Sequence, residues 1–340
     1  MWARSVLLIR LAVAVLLLGV FTPALALQAS QQLAIVVNEA DPISKRIADY
    51  YQVKRGIPDQ NVITVSLPAQ KNSISRKAFE RVYQQVKRDT PQHIQFYALA
   101  WSRPFKVACM SITSAFAFGF DEAYCAKGCN STRQSAYFNA SSRKPYADLG
   151  IRPTMLLAGE SLDQVRDMID RGVAADATLP KGTVYLVSTS NKARNVRAQF
   201  YPLVKEKLGK RVNIRIEHTD ALTDREDVLF YVTGLKEVEA IDSNHFVNGA
   251  IADHLTSAGG VLFGGQQMSI LRWLEAGATA SYGTVVEPCA FVQKFPHPGI
   301  VIDRYTRGET LIEAYWKSVA WPGQGLFVGE PLAAPYAGIL

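Results

Sequence analysis

The feature that most constrains the fold is a regular alternation of short apolar segments with amphipathic segments. Near the start of the chain, this pattern predicts strands over 33–38, 62–67 and 93–101. Helices are predicted between them, beginning at Pro42 and at Ser75. A strand–helix–strand–helix–strand order implies parallel strands joined by right-handed crossovers. We therefore expect an α/β fold with a mainly parallel sheet flanked by helices.

The alternation stops at 102–150, a segment rich in Cys, Ser and aromatic residues, and then resumes. Further strands are predicted over 153–158, 183–188, 212–216, 228–233, 261–264 and 278–284, and further helices over 161–175, 196–208, 246–257, 269–276 and 309–320. His254 would then be a surface residue of a helix. Two runs of alternation allow two α/β subdomains. The predicted division is a leader (1–26), an N-terminal unit (27–101), a Cys-containing insertion (102–150) and a C-terminal unit (151–340).

The first 26 residues have the pattern of a cleaved signal peptide. Arg4 and Arg10 provide the positive region, 11–21 is a short apolar core, and Ala24-Leu25-Ala26 forms a cleavage pattern of small residues. The apolar core is shorter than the ~20 residues of a membrane-spanning helix. We expect an exported protein whose mature chain begins at Leu27 and has no stable membrane span.

The charge of the chain argues against nucleic-acid binding. The formal net charge is +7, and it becomes +5 when Arg4 and Arg10 leave with the leader. Lys and Arg are dispersed along the chain and form no basic block. We therefore expect no nucleic-acid partner. The partner is not identified by the sequence, and a peptide or protein ligand is the candidate. We expect no cofactor or metal.

Four cysteines follow the leader, and an even number in an exported protein favours disulfides. Cys125 and Cys129 lie close in sequence, with Gly128 between them, so we predict a local Cys125–Cys129 bridge. A zinc site is the alternative, but the sequence near this pair offers no further CxxC or HxxxH ligands.

Sequence signatures of several enzyme classes are absent: GxSxG, GxxxxGK[ST], HExxH and GxGxxG. The order of segments TVYLVS, NIRIEHTD, VLFYVTG, VLFGG and ASYGTV over about 180–335 resembles caspase-like and gingipain-like cysteine peptidases. That resemblance implies a catalytic His after the third segment and a catalytic Cys after the fourth. Leu235 stands at the first position and Gln266 near the second, so the standard pair of residues is missing.

Longer motifs resemble a family of exported bacterial proteins of unknown function. These motifs are VVNEADPISKRIADYYQVKRGIP, GAIADHLTSAGG and AYWKSVAWPGQGLFVGEPLAAPY. The resemblance implies export and an α/β fold, and it brings no activity with it. The first hypothesis is therefore a non-catalytic binding or scaffold protein.

The second hypothesis is a divergent cysteine peptidase or other hydrolase that uses His245 and Cys289. A thiolate requires a nearby base, and Asp242 or Glu287 would orient the imidazole. Backbone amides of Gly264 and Gly265 would stabilise the oxyanion. With Gln266 and Glu287, these glycines are the predicted cleft residues. The alternative is that Cys289 forms a disulfide with Cys109 and that His245 is a loop residue.

Overall fold

The described part of this computed structural model comprises residues 29–126 and 128–338; the predicted leader lies outside it. Its strands, numbered along the chain, are β1 (Leu33–Asn38), β2 (Val62–Val65), β3 (Ser73–Ile74), β4 (Phe96–Leu99), β5 (Lys106–Val107), β6 (Met110–Ser111), β7 (Thr154–Leu156), β8 (Thr183–Ser188), β9 (Asn213–His218), β10 (Val228–Thr233), β11 (Phe246–His254), β12 (Ala280–Thr284) and β13 (Gly325–Gly329). Ten of them form one sheet, in the order β2-β1-β4-β7-β13-β12-β11-β10-β8-β9. The predicted α/β fold with a mainly parallel sheet is confirmed.

The sheet has an N-terminal and a C-terminal half. Parallel pairs join β2, β1, β4 and β7 in the first half and β9, β8, β10, β11 and β12 in the second. The last strand, β13, lies between the halves: it runs antiparallel to β12 and meets β7 where Val328 is opposite Leu156. Strands from both predicted units therefore share one sheet. The small remaining strands β3, β5 and β6 form a separate three-stranded sheet.

The helices are α1 (Pro42–Arg55), α2 (Arg76–Asp89), α3 (Ile112–Phe118), α4 (Pro145–Leu149), α5 (Leu162–Ala175), α6 (Tyr201–Leu208), α7 (Leu271–Glu275), α8 (Pro298–Thr306) and α9 (Leu311–Lys317). The first helix shows how the sequence sets these boundaries. The Asp41 carboxylate accepts a hydrogen bond from the Ile43 amide, and Gly56 ends the helix with a left-handed φ of 61°. In the described residues, no helix combines the length and apolar character of a membrane span.

Two secondary-structure predictions in the C-terminal half were wrong. The segment predicted as helix 246–257 is the central strand β11, and residues 261–264 form bends of a loop instead of a strand. Most of β11 is buried, as expected for a strand covered on both faces, so its sequence lacks the alternation that marks a half-exposed strand. Gly249 interrupts it with φ 86°, and the Tyr305 hydroxyl donates a hydrogen bond to the Gly249 carbonyl (2.9 Å).

The insertion contains one internal disulfide and is linked by a second to the loop after β12, and both differ from the predicted bridge. Cys109 pairs with Cys125, and Cys129 pairs with Cys289. Both the predicted Cys125–Cys129 bridge and the alternative Cys109–Cys289 bridge were therefore wrong. Cys125 packs against the hydrophobic core, whereas Cys129 lies exposed beyond Gly128 (φ 69°), so the two neighbours in sequence face different partners.

Loops from the two halves of the sheet meet. The Asn72 side-chain amide donates a hydrogen bond to the Phe263 carbonyl (3.2 Å), and the Arg103 guanidinium lies 3.7 Å from the centre of the Phe263 ring. Arg103 follows β4, and Phe263 follows β11. Cation–π contacts of this kind stabilise a loop modestly. The loop after β11 is therefore braced against the N-terminal half.

Candidate functional site

The sheet order reverses beside β8, because the chain goes from β8 to one neighbour, β9, and then crosses to the other, β10. In open parallel sheets, ligands bind outside the carboxyl ends of the strands at such a reversal. A cavity of about 170 Å³ lies there. Its lining residues come from the loops after β8, β11 and β12: Ala193, Arg194, Leu255, Thr256, Ser257, Pro288, Cys289, Ala290 and Phe295. We call this the carboxyl-edge cavity.

The loop after β8 is held tightly in place. The Thr189 hydroxyl donates a hydrogen bond to the Gly234 carbonyl (2.9 Å), and the Asn191 side chain accepts one from the Arg194 amide (3.1 Å). A Cβ added at Gly234 would collide with the Arg194 carbonyl oxygen. Only glycine therefore allows the strand end of β10 to approach this loop so closely.

Arg194 is the charged side chain of the cavity. Its Nε atom donates to the Thr256 hydroxyl (3.1 Å), and Thr256 in turn donates to the Gln267 side-chain oxygen (2.8 Å). Gln267 also accepts a hydrogen bond from the Ala258 amide (2.8 Å). Within 29–126 and 128–338, no carboxylate pairs with Arg194. The guanidinium is therefore oriented through Nε, with its charge available to an anionic group.

A buried ion pair, Arg197–Asp253, is formed by residues close in sequence to the cavity residues Arg194 and Leu255. Arg197, 2% exposed, contacts the Asp253 carboxylate at 2.5 Å and donates to the Thr233 carbonyl at 2.7 Å. Burial raises the pKa of Asp253, and the Arg197 charge opposes that rise. Because these two charges compensate each other, the Asp253 carboxylate is not available to Arg194.

His254, at the end of β11, is buried and is not a helix surface residue. The Trp273 indole N–H donates to Nδ1 (2.9 Å), so the proton of the neutral ring is on Nε2, which donates to the Met268 carbonyl (3.1 Å). The pKa of His254 is lowered to about 4, mainly by burial; the Met268 hydrogen bond opposes this lowering, and the charges of Arg197 and Arg194 contribute to it. Both ring nitrogens are engaged, so His254 is a structural histidine and not a general base.

The predicted catalytic residues do not come together. His245 is exposed and directly precedes β11, whereas Cys289 follows β12. Because β11 and β12 are parallel, the start of one strand and the end of the other lie at opposite edges of the sheet. Asp242, suggested as an orienting group, instead pairs with Arg272 (2.9 Å). All four cysteines are in disulfides, so Cys289 offers no thiolate.

The predicted cleft residues lie beside the carboxyl-edge cavity and do not line it. Gly264, Gly265 and Gln266 are exposed on the loop after β11. Glu287 is exposed as well, and its carboxylate accepts a hydrogen bond from the Cys289 amide (2.7 Å). Gln267, the residue after Gln266, accepts a hydrogen bond from Thr256 in the cavity wall (2.8 Å), and sequence reasoning missed it.

The observed strands change which residue stands where the resemblance to cysteine peptidases implies a catalytic Cys. The fourth strand of the C-terminal half is β11, so the position after it is Leu255, while Leu235 still follows the third strand. Leu255 is buried in the core, and Leu235 packs against a second hydrophobic cluster. Neither residue can transfer a proton or attack a carbonyl. No group of three or more potential metal ligands occurs in the described residues.

A larger cavity, of about 550 Å³, lies near the amino end of β8, next to Lys181, Arg211 and Asp227. Two of its charged groups, Arg211 and Asp227, already have partners, and Lys181 is exposed to solvent. Arg211 pairs with Asp303 (2.7 Å), and Asp227 accepts hydrogen bonds from the Thr183 and Tyr185 hydroxyls. We therefore regard the smaller carboxyl-edge cavity as the candidate site.

Comparison with known proteins gives little further guidance. No protein-family model matches the chain, and no curated protein matches it. A solved structure described as "Structure of Protease" matches with a TM-score of 0.48 and 8% sequence identity, covering 90% of this chain and 78% of that chain. Similarity at this level carries no argument about activity, so the function must be argued from the site itself.

Proposed function

We propose that this is an exported protein that binds a peptide or protein ligand without cleaving it, with the carboxyl-edge cavity as its binding site. The leader pattern, together with two disulfides in the structure, supports an oxidising compartment outside the cytoplasm. The observation that carries the proposal is a charged Arg194, held by Thr256 and without a carboxylate partner in the part of the chain that the structure describes, in a cavity whose described lining has no free thiol or free imidazole.

The size of the cavity indicates what enters it. Pockets for whole small molecules occupy about 300–1,000 Å³, and a water molecule takes about 30 Å³. The volume of about 170 Å³ therefore suits one side chain or the end of a chain. The rest of a longer ligand would lie over the neighbouring loops. A peptide that inserts a single group is a better fit than a cofactor.

The charge of Arg194 indicates the chemistry of that group. A guanidinium binds a carboxylate through paired N–H donors, and such charge-assisted hydrogen bonds are stronger than neutral ones. We propose that a ligand carboxylate docks on Arg194. It is either an acidic side chain or a free C-terminus, and both provide the same chemistry.

Binding of the mature protein to an array of fluorescent peptides tests this proposal. Each acidic peptide is compared with its Gln or Asn counterpart, and each free C-terminus with its amide, so that the two sources of carboxylate are distinguished. We expect Arg194→Gln to weaken binding about ten-fold or more, since a hydrogen bond to a charged group contributes about 1.5–3 kcal/mol. The control Arg215→Gln removes the same charge from the exposed edge strand β9 and should leave the affinity unchanged.

The same peptides distinguish binding from cleavage. Mass spectrometry after prolonged incubation should recover them intact. Cleavage that disappears in Cys289→Ala and His245→Ala would overturn the non-catalytic proposal and support the peptidase hypothesis. Equal affinity of Arg194→Gln and the unmodified protein for acidic peptides would refute the role of Arg194.

A further inference from the structure

The two disulfides have different surroundings. Cys109 and Cys125 are partly buried and pack against the hydrophobic core. Cys129 is exposed, and its partner Cys289 lies in the wall of the carboxyl-edge cavity. A reductant in solution can therefore approach the Cys129 sulfur more easily than either sulfur of the other bridge.

Breaking the Cys129–Cys289 bridge would leave the insertion attached on both sides of Cys129. Before it, the Cys109–Cys125 bridge remains. After it, the Ser135 amide donates to the Ala320 carbonyl (2.8 Å), and Tyr137 is fully buried. The structural effect of reduction should therefore be confined to the loop after β12.

That loop supplies Pro288, Cys289 and Ala290 to the wall of the cavity. Cys289 has φ 54°, in the left-handed region that is unfavourable for a side chain with a Cβ. The bridge to Cys129 and the hydrogen bond from its amide to Glu287 hold it there. Without the bridge, the loop is free to relax from this conformation and to change the shape of the cavity.

We infer that the Cys129–Cys289 disulfide is a site of thiol–disulfide exchange with a dithiol reductant, and that it controls the shape of the carboxyl-edge cavity. A dithiol thiolate attacks the exposed Cys129 sulfur, the Cys129–Cys289 bond breaks, and Cys289 leaves as a thiolate. The second thiol of the reductant then attacks the mixed disulfide. The reductant ends as a disulfide, and Cys129 and Cys289 end as thiols that carry the two protons released by the reductant.

The surroundings of Cys289 favour this direction of attack. A thiolate with a low pKa is a better leaving group, and a nearby cation lowers that pKa. Arg194 lines the same cavity as Cys289 and has no carboxylate partner among residues 29–126 and 128–338. Glu287 is the opposing charge, and it lies on the exposed side of the loop, where solvent screens it.

The order of reduction tests the exchange site. The folded, oxidised protein is titrated with dithiothreitol, the thiols are trapped by alkylation, and the modified peptides are identified by mass spectrometry. We expect Cys129 and Cys289 to be alkylated at least ten-fold faster than Cys109 and Cys125. Reduction of Cys109–Cys125 first, or of both bridges at equal rates, would overturn the inference.

The inference that the disulfide controls the cavity rests on the proposed function. Two measurements distinguish a failure of that control from a failure of the proposed function. Amide hydrogen exchange of residues 285–295 should increase on selective reduction, whether or not a peptide binds. Affinity for the acidic peptide should fall about three-fold or more, because a loosened wall loses preorganisation. Absence of peptide binding to the oxidised protein would refute the proposed function alone. Unchanged hydrogen exchange would refute control of the cavity alone.

Paired variants complete the test. Cys129→Ser/Cys289→Ser should reproduce the hydrogen exchange of the reduced protein and no longer respond to dithiothreitol. Cys109→Ser/Cys125→Ser is the matched control, and its residues 285–295 should still respond. A Cys129→Ser/Cys289→Ser protein that exchanges like the oxidised form would overturn the inference.

Discussion

Acidification should destabilise the protein through His254, and the size of the effect follows from its burial. The pKa falls from 6.5 to about 4 on folding, so the unfolded chain binds a proton that the folded chain excludes. The stability that depends on a neutral His254 is fully present above pH 6.5 and is lost as the pH falls from 6.5 towards 4. Between pH 7 and pH 4.5 the loss is about 2.5 kcal/mol, at 1.36 kcal/mol per pH unit.

The test compares urea unfolding of the oxidised protein with that of His254→Gln over pH 4.5–7. Glutamine can still hydrogen-bond Trp273 and Met268 but does not titrate, so its free energy of unfolding should fall by about 2.5 kcal/mol less than that of the unmodified protein. His245→Gln, a change at an exposed site, should keep the original pH dependence. Should His254→Gln fail to fold, an NMR titration of the His254 ring in the unmodified protein decides the matter. A midpoint near 6.5, or equal pH dependence of both proteins, would refute the reasoning.

Two further substitutions test the support of the cavity. Asp253→Asn leaves the buried Arg197 charge without its counter-ion and should cost about 3–5 kcal/mol in the free energy of unfolding; urea denaturation measures this, and a loss below 1 kcal/mol would contradict it. Gly234→Ala places a methyl group against the Arg194 carbonyl, so the loop after β8 must shift. The affinity for the acidic peptide should then fall by more than the loss of thermal stability explains. Titration calorimetry measures the affinity, and a thermal melt measures the stability.

Local sequence signals were sufficient for short continuous apolar runs, which form strands buried on both faces, and for helix ends that carry caps. Strands 33–38, 183–188 and 228–233 were predicted with the bounds that the structure shows, and α1 begins at Pro42 as predicted. The central strand β11 was missed because its buried run is interrupted by Asn248, Gly249 and the polar pair Asp253-His254, so it does not stand out as a continuous apolar segment. In sequence, such a strand cannot be distinguished from a buried helix segment.

The site was harder to predict because its parts meet only in the folded chain. Four cysteines allow three pairings, and sequence spacing favoured a local bridge that the structure lacks. Arg194 and Gln267 are far apart in the chain and look like ordinary polar loop residues. The feature that marks the site is the order of the strands around β8, because ligands bind where that order reverses and the following loops diverge. The strands β8, β9 and β10 were all predicted, but the order in which they pair depends on contacts between distant segments, which the sequence does not show.

The Cys129–Cys289 bridge, with its sequence separation of 160 residues, also makes a closed covalent ring of almost half the chain. The ring contains β7, β8, β9, β10, β11 and β12, including every strand whose following loop lines the carboxyl-edge cavity. A single cut by a protease in a loop of this ring would leave both new ends in one molecule. Such a nick would change the connectivity of the chain without separating the strands that carry the loops of the carboxyl-edge cavity.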